Sequence, residues 1–127
     1  MRYRLINKKR FYTIADAPRF GASRDGVLWD FKRDKQIIPC MGGYGYASVT
    51  LYQEVLGKGR GFTMHRIMAS MFIKNPKGLP EVDHKDRNPM NYSLDNLQWV
   101  TSERNKELQA KRIRADKRAA KLLLAAS

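Results

Sequence analysis

Cysteine is almost absent from this sequence of 127 residues, in which Cys40 is the only one. A single cysteine excludes an internal disulfide and a zinc site built from cysteine pairs. Long apolar runs are absent too, and none approaches the roughly 18 residues of a membrane-spanning helix. The first ten residues, MRYRLINKKR, contain no apolar signal-peptide core. We therefore expect a protein with no membrane partner that works in a reducing cytoplasm.

Acidic residues are scarce, and the formal net charge is +13, from 25 basic and 12 acidic residues. Residues 1–40 contain ten basic and four acidic side chains, residues 101–127 contain eight and three, and the centre contains seven and five. Two basic flanks are suited to a polyphosphate partner, since each neutralised phosphate releases counterions. Charge alone also fits a basic ribosomal protein or a protein at a membrane surface.

Residues 21–64 are typical of short antiparallel strands joined by turns. A strand is predicted at 27–31, and a second at 37–39 is placed at a sheet edge by its proline. The strongest strand pattern covers 44–52, and the glycines of 57–61 predict a flexible basic turn after it. Alternation gives the strongest strand two faces, with Tyr46, Ser48, Thr50 and Tyr52 on one and Ala47, Val49 and Leu51 on the other.

Two helices are predicted in the second half of the chain. Apolar residues at helical spacing predict a helix over 65–73, and Asn75-Pro76 ends it. Thr101 or Ser102 caps a second helix, which is rich in Ala, Lys, Arg and Leu and runs to about Leu124. Side chains expected in the core are Met64, Met68, Met71 and Trp99, and His65 is expected to make a structural hydrogen bond.

A polar set surrounds a loop at 85–91. Asp83 and His84 precede the loop, Asn96 leads into a returning strand, and Asn105 lies in the first turn of the second helix. Singly, an Asp-His pair is usually a polar turn, and each asparagine is usually a turn, cap or surface residue. Together, a carboxylate, an imidazole and carboxamides suit a hydrolysis that needs a hard divalent cation and a general base.

The motif around this set resembles a known family. Its parts are His65-Arg66-Ile67-Met68-Ala69, Phe72-Ile73-x-Asn75-Pro76, Val82-Asp83-His84-x-Asp86-x-Asn88 and Asn96-Leu97-x-Trp99-Val100-Thr101-x-x-x-Asn105. Over about forty residues this order and spacing resemble an HNH endonuclease of the phage and group I intron homing type. The run Gly45-Tyr46-x-x-Val49-x-Leu51-Tyr52 resembles the small DNA-binding module that precedes the motif in such proteins, although residues 20–24 depart from its usual opening.

The resemblance implies an α+β fold. We expect a small antiparallel β meander, then a helix and a ββα-metal motif, and finally a long basic helix. The implied domains are a basic arm with a β-rich DNA-binding module at 1–64, the HNH nuclease motif at 65–110 and a basic helical extension at 111–127. A bacterial host cytoplasm is implied if the gene is phage-encoded.

The resemblance also implies roles for the motif residues. Asp83 and Asn105 would hold one Mg²⁺, with Mn²⁺ also accepted, and His84 would deprotonate the attacking water. Asn96 would brace the loop and orient His84. The implied partner is double-stranded DNA, bound by a monomer that needs no small-molecule cofactor. The alternatives are an inactive DNA-binding protein and a basic RNA-binding protein.

Basic side chains in both flanks are the predicted DNA contacts. Residues 1–20 are interpreted as an arm along phosphates or as a solubilising terminus, and the first half of the second helix is expected against the duplex. The predicted contacts are Arg2, Arg4, Lys8, Lys9, Arg10, Lys58, Arg60, Gln109, Arg112, Arg114, Lys117 and Arg118.

Overall fold

A computed structural model describes residues 1–43 and 45–126 and has the predicted α+β architecture. Within these residues, the first five strands form an antiparallel sheet in sequence order: β1 (Tyr3–Ile6), β2 (Lys9–Thr13), β3 (Phe20–Ala22), β4 (Leu28–Asp30) and β5 (Lys35–Ile37). Three more form a second sheet: β6 (Cys40–Met41), β7 (Ala47–Gln53) and β8 (Lys58–Thr63). The remaining elements are α1 (Met64–Phe72), the hairpin of β9 (Glu81–His84) and β10 (Leu97–Val100), a 3-10 turn at Leu94–Asn96 before β10, and α2 (Ser102–Ala126).

The interpretation of residues 1–20 as an arm is wrong where β1 and β2 form a hairpin. Asn7 and Lys8 have φ of 52° and 67°, which suits the two-residue turns that join tightly paired strands. Ile6 pairs with Lys9 across this turn. Phe11 on β2 is 3% exposed and lies 5.6 Å from the Trp29 ring, so the hairpin forms part of the folded core.

The predicted turn at 57–61 is also wrong, because β8 already begins at Lys58. The chain reverses one turn earlier, where Gly57 at φ +65° donates its N–H to the Gln53 carbonyl at 2.9 Å. Gly59 then lies within the strand. A Cβ there would meet the Thr50 side chain at 2.8 Å, so glycine allows the two strands to pair closely.

The core lies between the second sheet and α1. Val49 and Leu51 on the inner face of β7 are buried, whereas Thr50 and Tyr52 are exposed, as the alternation predicts. Met64 and Met68 of α1 are fully buried, which confirms the prediction for these two. The same cluster includes residues of the first sheet and of the β9–β10 hairpin, so one core supports all three parts.

The second helix begins as predicted, at a cap. Thr101 Oγ1 accepts the Arg104 N–H at 3.0 Å, and the helix then continues without a break to Ala126. The predicted boundary between 110 and 111 therefore falls inside one continuous helix. In the part of the chain described, no helix combines the length and the apolar character that crossing a membrane requires.

Candidate active site

The β9–β10 hairpin places Asp83 and His84 at the end of a strand. Antiparallel pairing puts Leu97 opposite His84 and Gln98 opposite Asp83. Neighbouring residues in a strand point to opposite faces, but β9 ends at His84 and the chain then turns away. Both side chains line the same cleft, as action on a shared substrate requires.

Asn96 braces the loop that follows His84. Its Oδ1 accepts the Asp86 N–H at 2.9 Å, and its Nδ2 donates to the Asp86 carboxylate and to the Asn91 carbonyl, each at 2.9 Å. Its backbone carbonyl accepts the Lys85 N–H at 2.8 Å. Asp86 also accepts hydrogen bonds from Asn88 and Asn91. Asn96 therefore acts through the loop backbone, while the loop fixes the chain leaving His84.

An open cleft of about 330 Å³ lies between the hairpin, its loop and α2. It brings together three of the four predicted motif residues, Asp83, His84 and Asn105. The other lining residues are Tyr46, Val82, Arg87, Pro89, Gln109, Arg112 and Ile113. Of the twelve predicted DNA contacts, Gln109 and Arg112 lie in this cleft, and Arg114, Lys117 and Arg118 are exposed further along α2.

Asp83 is buried and fully engaged. Arg112 donates from Nη1 to Oδ1 at 2.7 Å and from Nη2 to Oδ2 at 3.2 Å, and Gln98 Nε2 donates to Oδ2 at 2.8 Å. Burial alone would raise the pKa of Asp83, but the hydrogen bonds from Arg112 and Gln98 outweigh it, so the pKa lies below its ordinary value. The carboxylate is therefore ionised at neutral pH.

Asn105 is oriented by a neighbouring carboxylate. Its Nδ2 donates to Glu81 Oε2 at 3.1 Å, and Glu81 lies two residues before Asp83 on the same face of β9. This hydrogen bond uses the donor side of the amide and leaves the carbonyl oxygen Oδ1 as the atom that a cation can bind.

His84 lies in an aromatic cluster with His65 and Tyr46. The His65 ring is 4.7 Å from the His84 ring, and Tyr46 is 4.9 Å from His65 and 5.8 Å from His84. Burial lowers the pKa of His84, although the charges of Asp83 and Asp86 oppose this. Burial, with the charges of His84 and Arg66, lowers the pKa of His65 to about 4. Both imidazoles are therefore neutral at pH 7.

Each of these histidines has one enclosed ring nitrogen. Among the described residues, neither His84 Nε2 nor His65 Nδ1 has a hydrogen-bond partner. The expected structural hydrogen bond of His65 is therefore not made at Nδ1. For His84, enclosure of Nε2 leaves Nδ1 as the nitrogen that can reach a water in the cleft.

Several predicted DNA contacts have partners within the protein. Lys9 Nζ lies 2.6 Å from the Asp25 carboxylate, the Arg4 guanidinium lies 4.4 Å from the Phe31 ring centroid, and Arg10 lies 4.9 Å from that of Tyr3. All three side chains are nevertheless exposed. Lys58 and Arg60 are exposed on β8 rather than in a turn. These residues lie outside the lining of the cleft.

From the sequence alone, three residues that support the site are missed, Tyr46, Glu81 and Gln98, and so is the pairing of Arg112 with Asp83. Strand alternation puts Glu81 on the same face as Asp83, and antiparallel pairing of the two strands puts Gln98 opposite Asp83. These two residues could therefore have been found from the sequence. No local sequence pattern predicts the contact of Tyr46 with the histidines, because this contact joins segments that are far apart in the sequence.

The donors fit a hard divalent cation. Among residues 1–43 and 45–126, no group of three or more His, Cys, Asp or Glu side chains is arranged to hold a metal. The cleft instead offers one carboxylate, from Asp83, and one amide oxygen, from Asn105. Mg²⁺ prefers oxygen ligands and keeps several waters, so a site with few protein ligands suits it.

Comparisons with known proteins agree with this geometry. A model of the HNH endonuclease family matches residues 63–107, which contain α1, the β9–β10 hairpin and the start of α2. Residues 63–107 thus match the HNH endonuclease motif. Relatives of this chain include the H-N-H endonuclease F-TflII of Escherichia phage T5, 37% identical over 75% of this chain and 49% of the relative. Another is the DNA endonuclease I-HmuI of Bacillus phage SP01, 33% identical over 73% and 52%.

A solved structure extends the match over most of the chain. A structure of DNA binding and cleavage by the HNH homing endonuclease I-HmuI superposes with a TM-score of 0.65 at 29% identity. It covers 94% of this chain and 67% of the other. The chain spans about half the length of these two phage relatives. The family resemblance and the α+β fold expected from the sequence are thus confirmed.

Proposed function

We propose that this protein is a metal-dependent DNA endonuclease that hydrolyses phosphodiester bonds in double-stranded DNA with one Mg²⁺. The observation that carries the proposal is the convergence of Asp83, His84 and Asn105 on one open cleft of a strongly basic protein. Support comes from the relatives, one of which is named a DNA endonuclease and has a solved structure described as binding and cleaving DNA.

His84 is the proposed general base. Its neutral imidazole can take a proton from a water at Nδ1, which activates that water for attack on phosphorus opposite the leaving 3′ oxygen. The P–O3′ bond breaks and the leaving 3′ oxygen takes a proton from solvent, so the products carry a 5′ phosphate and a 3′ hydroxyl. Asn96 fixes the loop behind His84, so the ring is presented from a rigid backbone.

Asp83 and Asn105 are the proposed metal ligands. Bound Mg²⁺ would supply Lewis-acid stabilisation of the phosphate and of the leaving oxygen. Glu81 holds the Asn105 amide so that its oxygen is presented, and Gln98 holds one oxygen of Asp83. We expect Mn²⁺ to be accepted because it also favours oxygen ligands.

A plasmid assay tests the function directly. Purified protein should convert supercoiled plasmid to nicked or linear DNA when Mg²⁺ is added, and excess EDTA should stop the reaction. Because a contaminating nuclease would behave in the same way, Asp83→Ala protein prepared in parallel should cleave far more slowly at the same Mg²⁺ concentration. Binding without cleavage would instead favour an inactive DNA-binding protein, and preference for RNA would favour the RNA-binding alternative.

A metal titration distinguishes the metal ligands from the residues that support the loop. Asp83→Ala and Asn105→Ala should each need more Mg²⁺ for half-maximal cleavage, by about tenfold or more, because each loses a direct ligand. Asp86→Ala should lower the rate while leaving the Mg²⁺ requirement within about twofold, since Asp86 holds Asn91 and Asn96. A greater Mg²⁺ requirement in the Asp86 variant than in the Asp83 variant would contradict the assignment.

The exposed basic face of α2 should add to DNA affinity through phosphate contacts. Changing Arg114, Lys117 and Arg118 together to glutamine should weaken binding and make it less salt-dependent, since each phosphate contact adds about 0.9 to the slope of log K against log salt. Binding titrations at several salt concentrations measure this slope. Lys121→Gln is the single-charge control on the same helix, and an unchanged slope in the triple variant would assign α2 no phosphate contact.

A further inference from the structure

The pair of Asp83 and Arg112 occupies the oxygens that the metal needs. The Asp83 side chain is 3% exposed, and Arg112 contacts both of its oxygens in a forked geometry. Gln98 also holds Oδ2, and among the described residues only Arg112 contacts Oδ1. The guanidinium competes with a divalent cation for Oδ1, because two positive groups on one carboxylate oxygen repel each other.

Arg112 lies where an incoming phosphate would meet it. Asn105, Gln109 and Arg112 form one stripe of α2 along the cleft, at i, i+4 and i+7. The Arg112 side chain is 22% exposed, so it reaches the open space of the cleft as well as the buried carboxylate. A guanidinium fork binds phosphate as readily as carboxylate, with two parallel hydrogen bonds.

A second ion pair also joins α2 to the loop. Arg87 of the loop forms a forked pair with Asp116 of α2, one bond being 2.9 Å from Nη1 to Oδ1. This pair does not involve Asp83, and both of its members are exposed. Release of Arg112 would therefore free the carboxylate while leaving a second link between α2 and the loop.

We propose that Arg112 is a latch on the metal site: it holds Asp83 in the DNA-free protein and transfers to a DNA phosphate in the cleft, which frees Asp83 for Mg²⁺. The inference rests on the proposed function, since it assigns the cleft a phosphate ligand and Asp83 a metal. Its consequence is reciprocal coupling, in which DNA strengthens metal binding and metal strengthens DNA binding by the same factor.

The decisive measurement is Mn²⁺ binding to the DNA-free protein, followed by electron paramagnetic resonance. Arg112→Gln should bind Mn²⁺ about tenfold or more tightly than the natural protein, because a charged hydrogen-bond partner no longer competes for Asp83. Adding Asp83→Asn to this variant should abolish the gain. Arg112→Lys, which keeps the charge without the fork, should lie between the two. An affinity in Arg112→Gln equal to or weaker than natural overturns the latch.

Two control variants exclude simpler causes. Arg114→Gln removes the same charge from the same helix, and Asp116→Asn breaks the other ion pair between α2 and the loop. Neither should change Mn²⁺ affinity by more than about twofold. A gain in Arg114→Gln as large as that in Arg112→Gln would assign the effect to net charge, and one in Asp116→Asn would assign it to docking of α2. Either result overturns the latch.

The proposed contact of Arg112 with a DNA phosphate is tested by measuring cleavage, with thermal melting as a check that the variant is folded. Arg112→Gln should cut plasmid about tenfold or more slowly at saturating Mg²⁺ although it binds metal more tightly, because the phosphate has lost a partner. Cleavage at the natural rate or above would overturn this half. Mn²⁺ should also raise the melting temperature of Arg112→Gln more than that of the natural protein, which shows that the variant is folded. Mn²⁺ binding is measured without cleavage, so the two proposals can fail separately. The latch can be overturned in a protein that cuts plasmid, and it can be supported in a protein that does not.

Discussion

His84→Ala should lower the rate of DNA cleavage by about 10²-fold or more, the usual scale for removal of a general base. The His84 side chain lines the cleft, and its pKa is lowered by burial, so at pH 7 it is in the form that accepts a proton. DNA affinity should stay within a few-fold, because a neutral imidazole adds little to phosphate binding. Single-turnover cleavage and direct binding titrations separate these two quantities.

A matched control for this experiment is the next residue along the chain. Lys85 is exposed, and its backbone N–H donates to the Asn96 carbonyl. Lys85→Gln therefore perturbs the same loop without removing a proton acceptor, and it should cleave within a few-fold of the natural rate. Natural cleavage by the His84 variant would show that another group accepts the proton.

The same assignment fixes the direction of the pH dependence. The active form of His84 is the neutral ring, so the rate should rise with pH and level off above its pKa. Because burial lowers that pKa, the midpoint of the rise should fall below about 6.5, the ordinary value for histidine. Profiles of kcat/KM report this pKa in the free enzyme.

The site residues were predictable from the sequence because their geometry is local. A strand that ends at Asp83-His84, a polar loop and a returning strand form a hairpin, and a capped helix follows directly. Their chemistry is visible in residue type and spacing alone. The proposed roles of Asp83, His84, Asn96 and Asn105 remain predictions, while the structure brings three of them to one cleft and Asn96 behind the loop.

The contacts that adjust the site were not predictable in this way. Arg112 is separated from Asp83 by 29 residues, so helical periodicity gives its face on α2 but not the carboxylate that it meets. From the sequence alone, Arg112 is predicted to contact only DNA. In the structure Arg112 pairs with Asp83. The proposed transfer of Arg112 from Asp83 to a DNA phosphate is inferred from the distance between the two side chains and from their burial.

The N-terminal hairpin was missed because its local pattern is weak. Tyr3, Arg4 and Leu5 are all exposed, so β1 shows no alternation of buried and exposed residues. Its turn uses Asn7 and Lys8 at positive φ without a glycine, and glycine is the usual sign of such a turn. A strand stabilised by its neighbour rather than by its own pattern becomes visible only once the sheet is assembled.

Removal of residues 1–12 should therefore destabilise the fold rather than weaken DNA binding alone. The deletion takes β1 and most of β2, including buried Phe11, and it removes Tyr12, whose ring lies 5.5 Å from Phe72 of α1. Phe11→Ala alone should lower the free energy of unfolding by about 3–5 kcal/mol, a large part of the 5–15 kcal/mol typical of a domain. The deletion should cost at least as much, and thermal and urea unfolding measure both.

A substitution that keeps the hairpin separates its charge from its structure. Arg2→Gln with Lys8→Asn removes two exposed cations, and asparagine tolerates the positive φ of position 8. This variant should melt within a few degrees of the natural protein. If these cations contact phosphates, its salt slope of DNA binding should fall by up to about 1.8, at about 0.9 for each contact. A deletion variant that melts like the natural protein would show that β1 and β2 are dispensable, and it would restore the interpretation of this segment as an arm.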